Sequence, residues 1–380
     1  MKKNYLLTPG PTPLPPQITE ALSRPIIHHR TPQFQAILKE AKEGLKYVFN
    51  TQNDVFIFAS SGTGAMEAAV ANFLSPDDLA ITVEGGKFGQ RWTEICQSYG
   101  VECEVIRVEW GKAVEPKEIE KRLKANPKIK AIFVTLCETS TGVVNDIQAI
   151  GKIVKDSKAI LVVDAISGLG AIPMFCDAWF CDVVVSGSQK GLMLPPGLGF
   201  ISVSPKAWDL IGQSKCPKYY FDLTSAKKAL DKSDTPYTPA ISLVVALNES
   251  LKMIKDEGLE NIFLRHKKMA EATRAAARAL GLELLAPGDA SDVVTSIKVP
   301  SGIDGQKLVK TMRDTYGVTI AGGQAELKGK IIRIAHMGYI DEFDIILAVA
   351  CLEKVLSQMG YKFQLGAGVK AAEEVFLKKQ

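Results

Sequence analysis

Seven short apolar runs, most of them separated by helical patterns, restrict the fold of this chain more than any other feature. They are DVFIFA (54–59), LAITV (79–83), CEVIRV (103–108), KAIFVTL (130–136), AILVVD (159–164), DVVVS (182–186) and GFISVS (199–204). Most are apolar throughout rather than alternating, which is typical of strands covered on both faces. Amphipathic stretches such as TGAMEAAVANFL and PKEIEKRLKA lie between most of them. This alternation predicts an α/β fold with a mainly parallel, doubly wound sheet.

The chain has 380 residues, a length that predicts two domains. Five prolines between positions 9 and 16 forbid a helix, so we expect residues 1–16 to form an extended N-terminal arm. Residues 17–260 are predicted to form the large domain, with a loop-rich region from about 205 to 240. A long helical region from 241 to 281 then leads out of it. We expect residues 261–380 to form a small α+β domain, with strands near VVTSIKV and KIIRIAH.

The composition argues against several classes of partner and site. With 46% apolar and 23% charged residues and a net charge of +4, the chain is typical of a soluble protein without a nucleic-acid partner. It contains no apolar run long enough to span a membrane, and prolines interrupt the start, so we expect a cytoplasmic protein. Seven scattered cysteines without a CxxC pair and only four histidines predict neither a disulfide framework nor a metal site.

Ligands of open α/β sheets bind beyond the carboxyl ends of the strands, so the residues found there are the candidates for function. SSGTGAMEAA (60–69) follows DVFIFA and leads directly into a helix, whose first N–H groups could hold a phosphate. Glu138, Thr139, Ser140 and Thr141 follow KAIFVTL. These hydroxyl groups could bind a ligand or could cap the next helix, and the sequence leaves both interpretations open.

Two charged residues complete this edge of the predicted sheet. Asp164 ends AILVVD, and a carboxylate buried there needs a cationic partner or hydrogen-bond donors. Lys190 follows DVVVS and, taken alone, is typical of a solvated surface lysine. Together, the four strand ends offer a phosphate cradle, hydroxyl groups, a carboxylate and a lysine. Pyridoxal phosphate requires this set, with the lysine as Schiff-base partner and the carboxylate beside the ring nitrogen.

The order of these motifs resembles a known family. The motifs are LLTPGPTPLPP, SSGTGAMEAA, GGKFGQRW, ETSTGVVND, VVDAISGLGA, SGSQKGLMLPPGLGF, TPYTPAISL and IIRIAHMGY. They make the chain similar to the class V aminotransferases among the fold-type I pyridoxal-phosphate enzymes, in particular the alanine–glyoxylate and serine–pyruvate (serine–glyoxylate) aminotransferases. The resemblance implies a large domain with a seven-stranded, mainly parallel sheet between helices, a small C-terminal α+β domain, and a homodimer with a shared active site.

The resemblance also implies roles for individual residues. Lys190 would form the Schiff base and then move a proton between the substrate Cα and the cofactor, while Asp164 would keep the ring nitrogen protonated. Arg333 would hold the substrate carboxylate, with Gly10 beside the substrate. The remaining cofactor contacts that it implies are Ser61, Gly62, Thr63, Phe88, Thr139, Ile166, Gln189, Thr235 and Thr238. Of these, Thr238 would reach the phosphate from the partner subunit.

Three positions depart from the eukaryotic members of the family. Phe88 stands where a tryptophan stacks on the ring, and Thr63 replaces a histidine in the phosphate loop. In TPYTPA, Thr235 occupies the place of a phosphate-binding tyrosine, and Tyr237 falls one position away from it.

The function that this resemblance implies is a ping-pong transfer of an amino group from L-serine or L-alanine to glyoxylate or pyruvate. L-Aspartate as donor is the main alternative within the family. A cysteine desulfurase of the same fold is a further one, although Gln189 stands where those enzymes carry histidine. A redox subunit, of the kind to which the label of hydrogenase small subunit has been attached, would need clustered cysteines for iron–sulfur ligands. A purely binding protein should have lost Lys190 or Asp164.

Overall fold

The structure is a computed structural model that describes residues 3–378, so Met1 and Lys2 of the predicted arm and Lys379 and Gln380 of the predicted small domain lie outside it. Its strands are β1 (Tyr5–Leu6), β2 (Val55–Phe58), β3 (Leu79–Glu84), β4 (Glu102–Arg107), β5 (Ile129–Thr135), β6 (Cys137–Glu138), β7 (Val143–Val144), β8 (Ile160–Asp164), β9 (Val183–Gly187), β10 (Gly199–Val203), β11 (Val294–Lys298), β12 (Val318–Thr319), β13 (Ala321–Gly322) and β14 (Ile331–Ala335). Its helices are α1 (Pro16–Ser23), α2 (Pro32–Phe49), α3 (Gly62–Phe73), α4 (Lys87–Ser98), α5 (Pro116–Ala125), α6 (Ile147–Val154), α7 (Pro205–Ile211), α8 (Leu223–Leu230), α9 (Ile241–Glu257), α10 (Leu259–Ala279), α11 (Gly305–Tyr316), α12 (Glu342–Gln358) and α13 (Ala367–Leu377), with a 3-10 turn at Ala325–Leu327.

The seven predicted strands form one sheet in the order β2-β10-β9-β8-β5-β3-β4. Its neighbours are parallel except around β10, which is antiparallel to both β2 and β9. The predicted α/β class with a mainly parallel sheet is confirmed, and each strand lies within one residue of its predicted bounds. Because β2 and β9 both run opposite to β10, they point the same way, and the carboxyl ends of β2, β5, β8 and β9 meet at one edge.

Helices cover both faces of this sheet, which explains the continuously apolar strands. In β5, Ile132 and Val134 belong to one core cluster, which also contains Phe34 of α2. Phe133 belongs to the cluster on the other face, where it packs against Trp92 of α4 with ring centroids 4.7 Å apart. Since neighbouring residues of one strand are buried on opposite faces, none of these positions favours a polar side chain.

A smaller sheet, in the order β11-β14-β13, lies after α10 and packs against α11 and α12 in a third core cluster. The N-terminal arm reaches this part of the chain, where β1 pairs in parallel with β12. Helix α10 contributes Ile262 to the first core and Met269 to the third. The domain boundary at residues 260 and 261 therefore falls in a helix that serves both cores, and the division into three parts stays a prediction.

The structure adds detail to two expectations about the middle of the chain, the loop-rich region and the long helical region that follows it. The region from 205 to 240 contains α7 and α8, whose first N–H groups are capped by the side chains of Ser204 and Asp222. The long helical region from 241 to 281 is two helices, because Gly258 between them has a φ of +82° that ends α9. Among residues 3–378, the length and apolarity needed to cross a bilayer do not occur together in any helix.

Candidate active site

The strand register brings the predicted charged residues to one edge of the large sheet. Thr135 at the end of β5 lies beside Asp164, and Asp164 lies beside Val185 of β9. Two residues after β9 ends at Gly187, the chain turns through Gln189 and Lys190. The edge therefore carries a carboxylate and an amine on adjacent parallel strands, as the sequence predicts.

Asp164 is 3% exposed, and its Oδ1 accepts a hydrogen bond of 2.8 Å from the Ile166 N–H. Burial raises the pKa of the Asp164 carboxyl to about 7, and the negative charge of Glu138 adds to this shift. The hydrogen bond from Ile166 and the charges of Arg91 and Lys190 oppose it. A cation placed directly beside such a buried carboxyl group would stabilise its ionised form.

Lys190 is buried, and its Nζ donates to the carbonyl oxygen of Pro9 in the N-terminal arm. Burial lowers the pKa of the Lys190 amine to about 8, while the charge of Asp164 acts in the opposite direction. Gly10 leaves room beside this side chain, because a Cβ there would lie 2.5 Å from Cδ and Cε of Lys190. An amine that loses its proton near neutral pH can act as a nucleophile and as a base.

The N-terminus of α3 forms the second part of the site. Ser61 occupies the N-cap position, yet within the described chain its side chain makes no hydrogen bond to the helix. Gly62 lies directly against Ile166, whose Cδ1 would be 2.5 Å from a Cβ at position 62. The side chain of Thr63 accepts a hydrogen bond of 3.2 Å from Arg91. The first N–H groups of α3 are therefore available to an anion at the edge where Asp164 lies.

Gln189 and the N-terminal arm close the site on another side. The Gln189 side-chain oxygen is buried and has no hydrogen-bond partner among residues 3–378. Thr12 donates through its N–H to the Gln189 carbonyl at 3.2 Å and through its hydroxyl to the Lys190 carbonyl at 3.1 Å. The arm thus fixes the backbone that carries the lysine.

Arg333 projects from β14 of the small sheet and is 4% exposed. Its guanidinium donates to the Gly322 carbonyl through Nε at 2.9 Å and Nη2 at 2.7 Å, and to the Thr139 carbonyl through Nη1 at 2.5 Å. Burial lowers the pKa of Arg333 to about 10, so it stays charged at neutral pH. In the part of the chain that the structure describes, no carboxylate forms an ion pair with it.

The turn after β5 shows which helix its polar residues cap. Helix α6, the next in the chain, is capped by Asp146. Glu138 instead caps α4, which begins at Lys87, far earlier in the chain: its carboxylate accepts from the N–H groups of Phe88 and Gly89 at 2.9 Å and 2.8 Å. The prediction that this turn caps the next helix is therefore wrong, because it caps α4, and ligand binding by its hydroxyl groups stays a prediction.

Phe88 lies in the first turn of α4, half-buried, with the Arg91 guanidinium carbon 5.0 Å from its ring centroid. Arg91 also contacts Thr63, so it connects the Phe88 ring to the start of α3. Sequence reasoning missed both Arg91 and the capping role of Glu138. The clue to an external cap was the pair Gly85 and Gly86 before α4, where no side chain could cap the helix.

Thr235 and Thr238 are not brought to Lys190 within one chain. Both line a cavity with Phe58 and Ala59 at the end of β2. The Thr235 carbonyl accepts a hydrogen bond of 3.0 Å from Arg30, and its hydroxyl donates to the Tyr237 carbonyl at 2.8 Å. Their predicted contact with the cofactor of a partner subunit stays a prediction.

Comparison with known proteins assigns the chain to a family. Residues 4–337 match the family model of "Aminotransferase class-V". The chain belongs to the class V aminotransferase family. The L-aspartate–glyoxylate aminotransferase of Paracoccus denitrificans is 38% identical over 98% of this aminotransferase and 96% of the relative. The serine–glyoxylate aminotransferase of Methylorubrum extorquens is 38% identical over 97% and 95%.

Another relative carries a different label. The "Soluble hydrogenase 42 kDa subunit" of Anabaena cylindrica is 46% identical over 98% of this aminotransferase and 99% of the relative. The seven cysteines of the present chain are all free, and six of them are buried. Residues 3–378 contain no group of three or more His, Cys, Asp or Glu side chains that could hold a metal ion.

Solved structures agree with the family assignment. The ureidoglycine–glyoxylate aminotransferase from Bacillus subtilis has a TM-score of 0.95 at 29% identity and covers 100% of this chain and 99% of its own. The pyridoxamine–pyruvate aminotransferase from Mesorhizobium loti has a TM-score of 0.94 at 29% identity, with 99% and 97% covered. The fold-type I architecture predicted from the sequence is thereby confirmed.

This aminotransferase is a pyridoxal-phosphate-dependent transaminase, and its residues fit the cofactor. An amine, a buried carboxylate and an uncapped helix N-terminus supply the three kinds of group that the aldehyde, the ring nitrogen and the phosphate require. Gly10 and Gly62 keep side-chain atoms away from the amine and from the helix start.

Proposed function

We propose that the enzyme transfers the amino group of a small L-amino acid, L-serine or L-alanine, to glyoxylate or pyruvate by a ping-pong mechanism. The observation that carries this proposal is the meeting of Lys190, Asp164 and Arg333 at one buried site, although Arg333 comes from a different sheet. The charges of Asp164 and Arg333 both act on the Lys190 amine. The acceptor is supported by relatives whose names include glyoxylate.

Bound pyridoxal phosphate supplies an aldehyde that takes the amino group and a ring that withdraws electrons from the substrate Cα. Lys190 would hold the cofactor through its Nζ, and its neutral amine would act as the base that moves the proton at the substrate Cα. Asp164 would hold the ring nitrogen and keep it protonated, since its own burial favours a close cation. Phe88 would pack against the ring, and Ile166, which lies against Gly62, would support the start of α3 beside the cofactor.

The N–H groups at Ser61, Gly62 and Thr63 hold the phosphate, assisted by Gln189. Arg91 contributes charge on this side through its contact with Thr63. Thr139 contacts the ring oxygen. In this proposal Thr235 and Thr238 complete the phosphate site of a partner subunit, so the enzyme is a homodimer with shared active sites. Seven free thiols favour a reducing compartment, which supports a cytoplasmic location.

Arg333 binds the α-carboxylate of the substrate. Its guanidinium is held by two backbone carbonyl groups and keeps its charge, so a carboxylate from solution supplies the missing partner. Gly10 leaves space beside the amine for the substrate Cα. Because every amino acid has this carboxylate, Arg333 does not distinguish L-serine or L-alanine from L-aspartate, the donor named in one relative.

The desulfurase alternative finds no support at the site. Cys137 acts electrostatically on Lys190, but burial raises the pKa of its thiol to about 12 and it shares a hydrogen bond with Ser291. Burial also raises the pKa of Cys216 and takes that of Cys351 to about 11. Thiols held protonated in this way are poor nucleophiles.

The test is steady-state kinetics of the purified enzyme with pyridoxal phosphate, using L-serine, L-alanine and L-aspartate as donors and glyoxylate and pyruvate as acceptors. We expect parallel double-reciprocal lines, which are typical of a ping-pong mechanism, and the highest kcat/KM with L-serine or L-alanine. A preference for L-aspartate would show instead that the enzyme uses L-aspartate as its donor, the main alternative within the family. Sulfide release from L-cysteine without transamination would overturn the proposal.

A further inference from the structure

Glu138 is a buried carboxylate next to the site, and four hydrogen bonds hold it in place. It is 2% exposed. Oε2 accepts from the N–H groups of Phe88 and Gly89. Oε1 accepts from the N–H of Ser140 at 3.1 Å and from its hydroxyl at 2.5 Å. Each oxygen therefore receives two donors, and a carboxylate that only accepts satisfies all four.

This carboxylate connects two parts of the site that are far apart in sequence. On one side it fixes the first turn of α4, where the Phe88 ring is placed, and Ser140 adds a bond of 3.0 Å from the Lys87 N–H to its hydroxyl. On the other side it fixes the turn whose Thr139 carbonyl accepts from Arg333. Gly86 is required for the close approach, because a Cβ there would lie 2.5 Å from Cγ and Cδ of Glu138.

We infer that Glu138 is a positioning residue that fixes the Phe88 ring and the Arg333 guanidinium relative to each other. The inference rests on the proposed function, in which Phe88 covers the cofactor ring and Arg333 binds the substrate carboxylate. Glu138 makes no hydrogen bond to either side chain, although its negative charge raises the pKa of Arg333 against the lowering by burial. It acts through the backbone of residues 88 and 89 and through the turn that contains Thr139.

The small domain region contains a matched control. Glu353 of α12 is also buried, at 3% exposed, and its carboxylate also caps another helix. It accepts from the N–H groups of Gly366 at 2.7 Å, Gly368 at 2.8 Å and Val369 at 3.1 Å at the start of α13. The two glutamates share the same chemistry and burial, but Glu353 serves a helix that packs on α10 and α12.

The experiment compares Glu138→Gln with Glu353→Gln. In each variant an NH2 group replaces one oxygen and faces N–H donors, so both should lower the melting temperature. Only Glu138→Gln should reduce kcat, by roughly 10- to 100-fold, since a misplacement of about 1 Å at a reacting centre can cost about 10²-fold. It should also raise KM for the amino donor and weaken the circular dichroism of the bound cofactor.

A measurement on the cofactor-free protein is independent of activity. Hydrogen exchange followed by mass spectrometry should show the amides of residues 85–95 exchanging faster in Glu138→Gln than in the wild type and in Glu353→Gln. Phe88→Leu completes a double-mutant cycle: if Glu138 acts partly by placing the Phe88 ring, its replacement must cost less kcat in the Phe88→Leu background.

Three results would overturn the inference. They are wild-type kcat, KM and dichroism in Glu138→Gln; equal losses of kcat in both glutamine variants; or strict additivity in the cycle together with an unchanged donor KM. If Glu138→Gln does not fold, Ser140→Ala removes one donor to Oε1 and the acceptor of the Lys87 N–H, and it should show the same changes at smaller size. A wild-type enzyme that transaminates no donor would reject the proposed function, whereas the exchange and dichroism results would still decide the role of Glu138.

Discussion

The large and small sheets present buried charges in different ways. The large sheet carries Asp164 and Lys190 at the end of one strand and just past the end of its neighbour, and burial moves their pKa values to about 7 and about 8. The small sheet carries Arg333 within β14, where burial lowers the pKa to about 10 and the guanidinium stays charged at neutral pH. The difference separates two tasks: groups that change protonation near neutral pH lie at the strand ends, and a permanent charge is held in the middle of a strand.

Removal of the amine should give the largest effect. Lys190→Ala is expected to abolish the visible absorption band of the bound cofactor and to lower kcat by roughly 10³-fold or more, because both the covalent attachment and the proton transfer are lost. Absorption spectra and kinetics check this. Lys206→Ala, which removes a partly buried lysine that donates to the Ala159 carbonyl at 2.6 Å, should keep both properties. If Lys190→Ala kept wild-type turnover, Lys190 would not be a proton-transfer group, and the contrast drawn between the two sheets would be wrong.

Replacement of Asp164, the carboxylate at the same edge, should give the second-largest loss of kcat. Asp164→Asn keeps an acceptor for the Ile166 N–H but loses the charge, so kcat is expected to fall roughly 10²- to 10³-fold. Asp182→Asn is the control, since Asp182 is buried at the opposite end of β9 and accepts from the Leu161 N–H at 2.9 Å. Both variants should be less stable, and the prediction fails if they lose the same amount of kcat.

The small sheet should respond in binding rather than in turnover. Arg333→Lys keeps a charge but loses the planar fork, and KM for donor and acceptor should each rise roughly 10- to 100-fold because charge-assisted hydrogen bonds are lost. Arg122→Lys on α5 should leave KM unchanged. If Arg333→Lys instead lowered kcat and left KM unchanged, Arg333 would act in the chemical step, as Lys190 and Asp164 are proposed to do, rather than in binding.

The shifted pKa values predict how cofactor uptake depends on pH. The neutral amine of Lys190 increases as pH rises through about 8, so the rate at which cofactor-free enzyme captures pyridoxal phosphate should rise with it. Between pH 6.5 and 8.5 the increase from this group alone is roughly 20-fold. Asp164 raises the pKa of Lys190, so Asp164→Asn should move the midpoint to lower pH. Stopped-flow absorbance measures both, and a flat profile would contradict the role of burial.

The last prediction concerns two buried histidines beside the small sheet, which should affect stability at low pH rather than catalysis. His266 and His336 each donate through Nδ1 to a backbone carbonyl at 2.8 Å, and burial lowers both pKa values to about 3. The unfolded chain binds these protons at about 6.5, so stability is complete above that pH and is lost as pH falls toward 3. At pH 4.5 each histidine should cost roughly 2–3 kcal/mol of the free energy of unfolding.

Urea unfolding at pH 7 and pH 4.5 measures this loss. His336→Asn should be less stable than the wild type at pH 7 but should lose less between the two pH values. An equal loss in variant and wild type would show that carboxyl groups alone explain the acid sensitivity.

The sequence was most informative about the large sheet and its edge. A strand such as Ile160–Asp164 is apolar because both of its faces are covered, and this local pattern placed its bounds within one residue. Parallel strands share a carboxyl edge, so Asp164 and Lys190 could be expected together without any knowledge of their contacts. The roles of both residues in catalysis stay predictions.

Other features depend on contacts between distant residues and could not be predicted locally. Glu138 caps a helix that begins at Lys87, far earlier in the chain, and Arg91 contacts Thr63 from the next helix. Neither has a spacing pattern that would reveal it. Gly258, by contrast, was visible in the sequence, but its φ of +82° was not, and a single glycine is often tolerated inside a helix.

The N-terminal arm has a practical consequence for protein engineering. Its β1 pairs with β12, the Leu7 carbonyl accepts from the Ala335 N–H at 3.0 Å, and Pro9 accepts from Lys190. A deletion through Pro11 would thus remove the strand that pairs with β12, the hydrogen bond to Ala335 and the acceptor of the Lys190 amine in one step. An affinity tag that must be cleaved should therefore be cut upstream of Tyr5, where β1 begins.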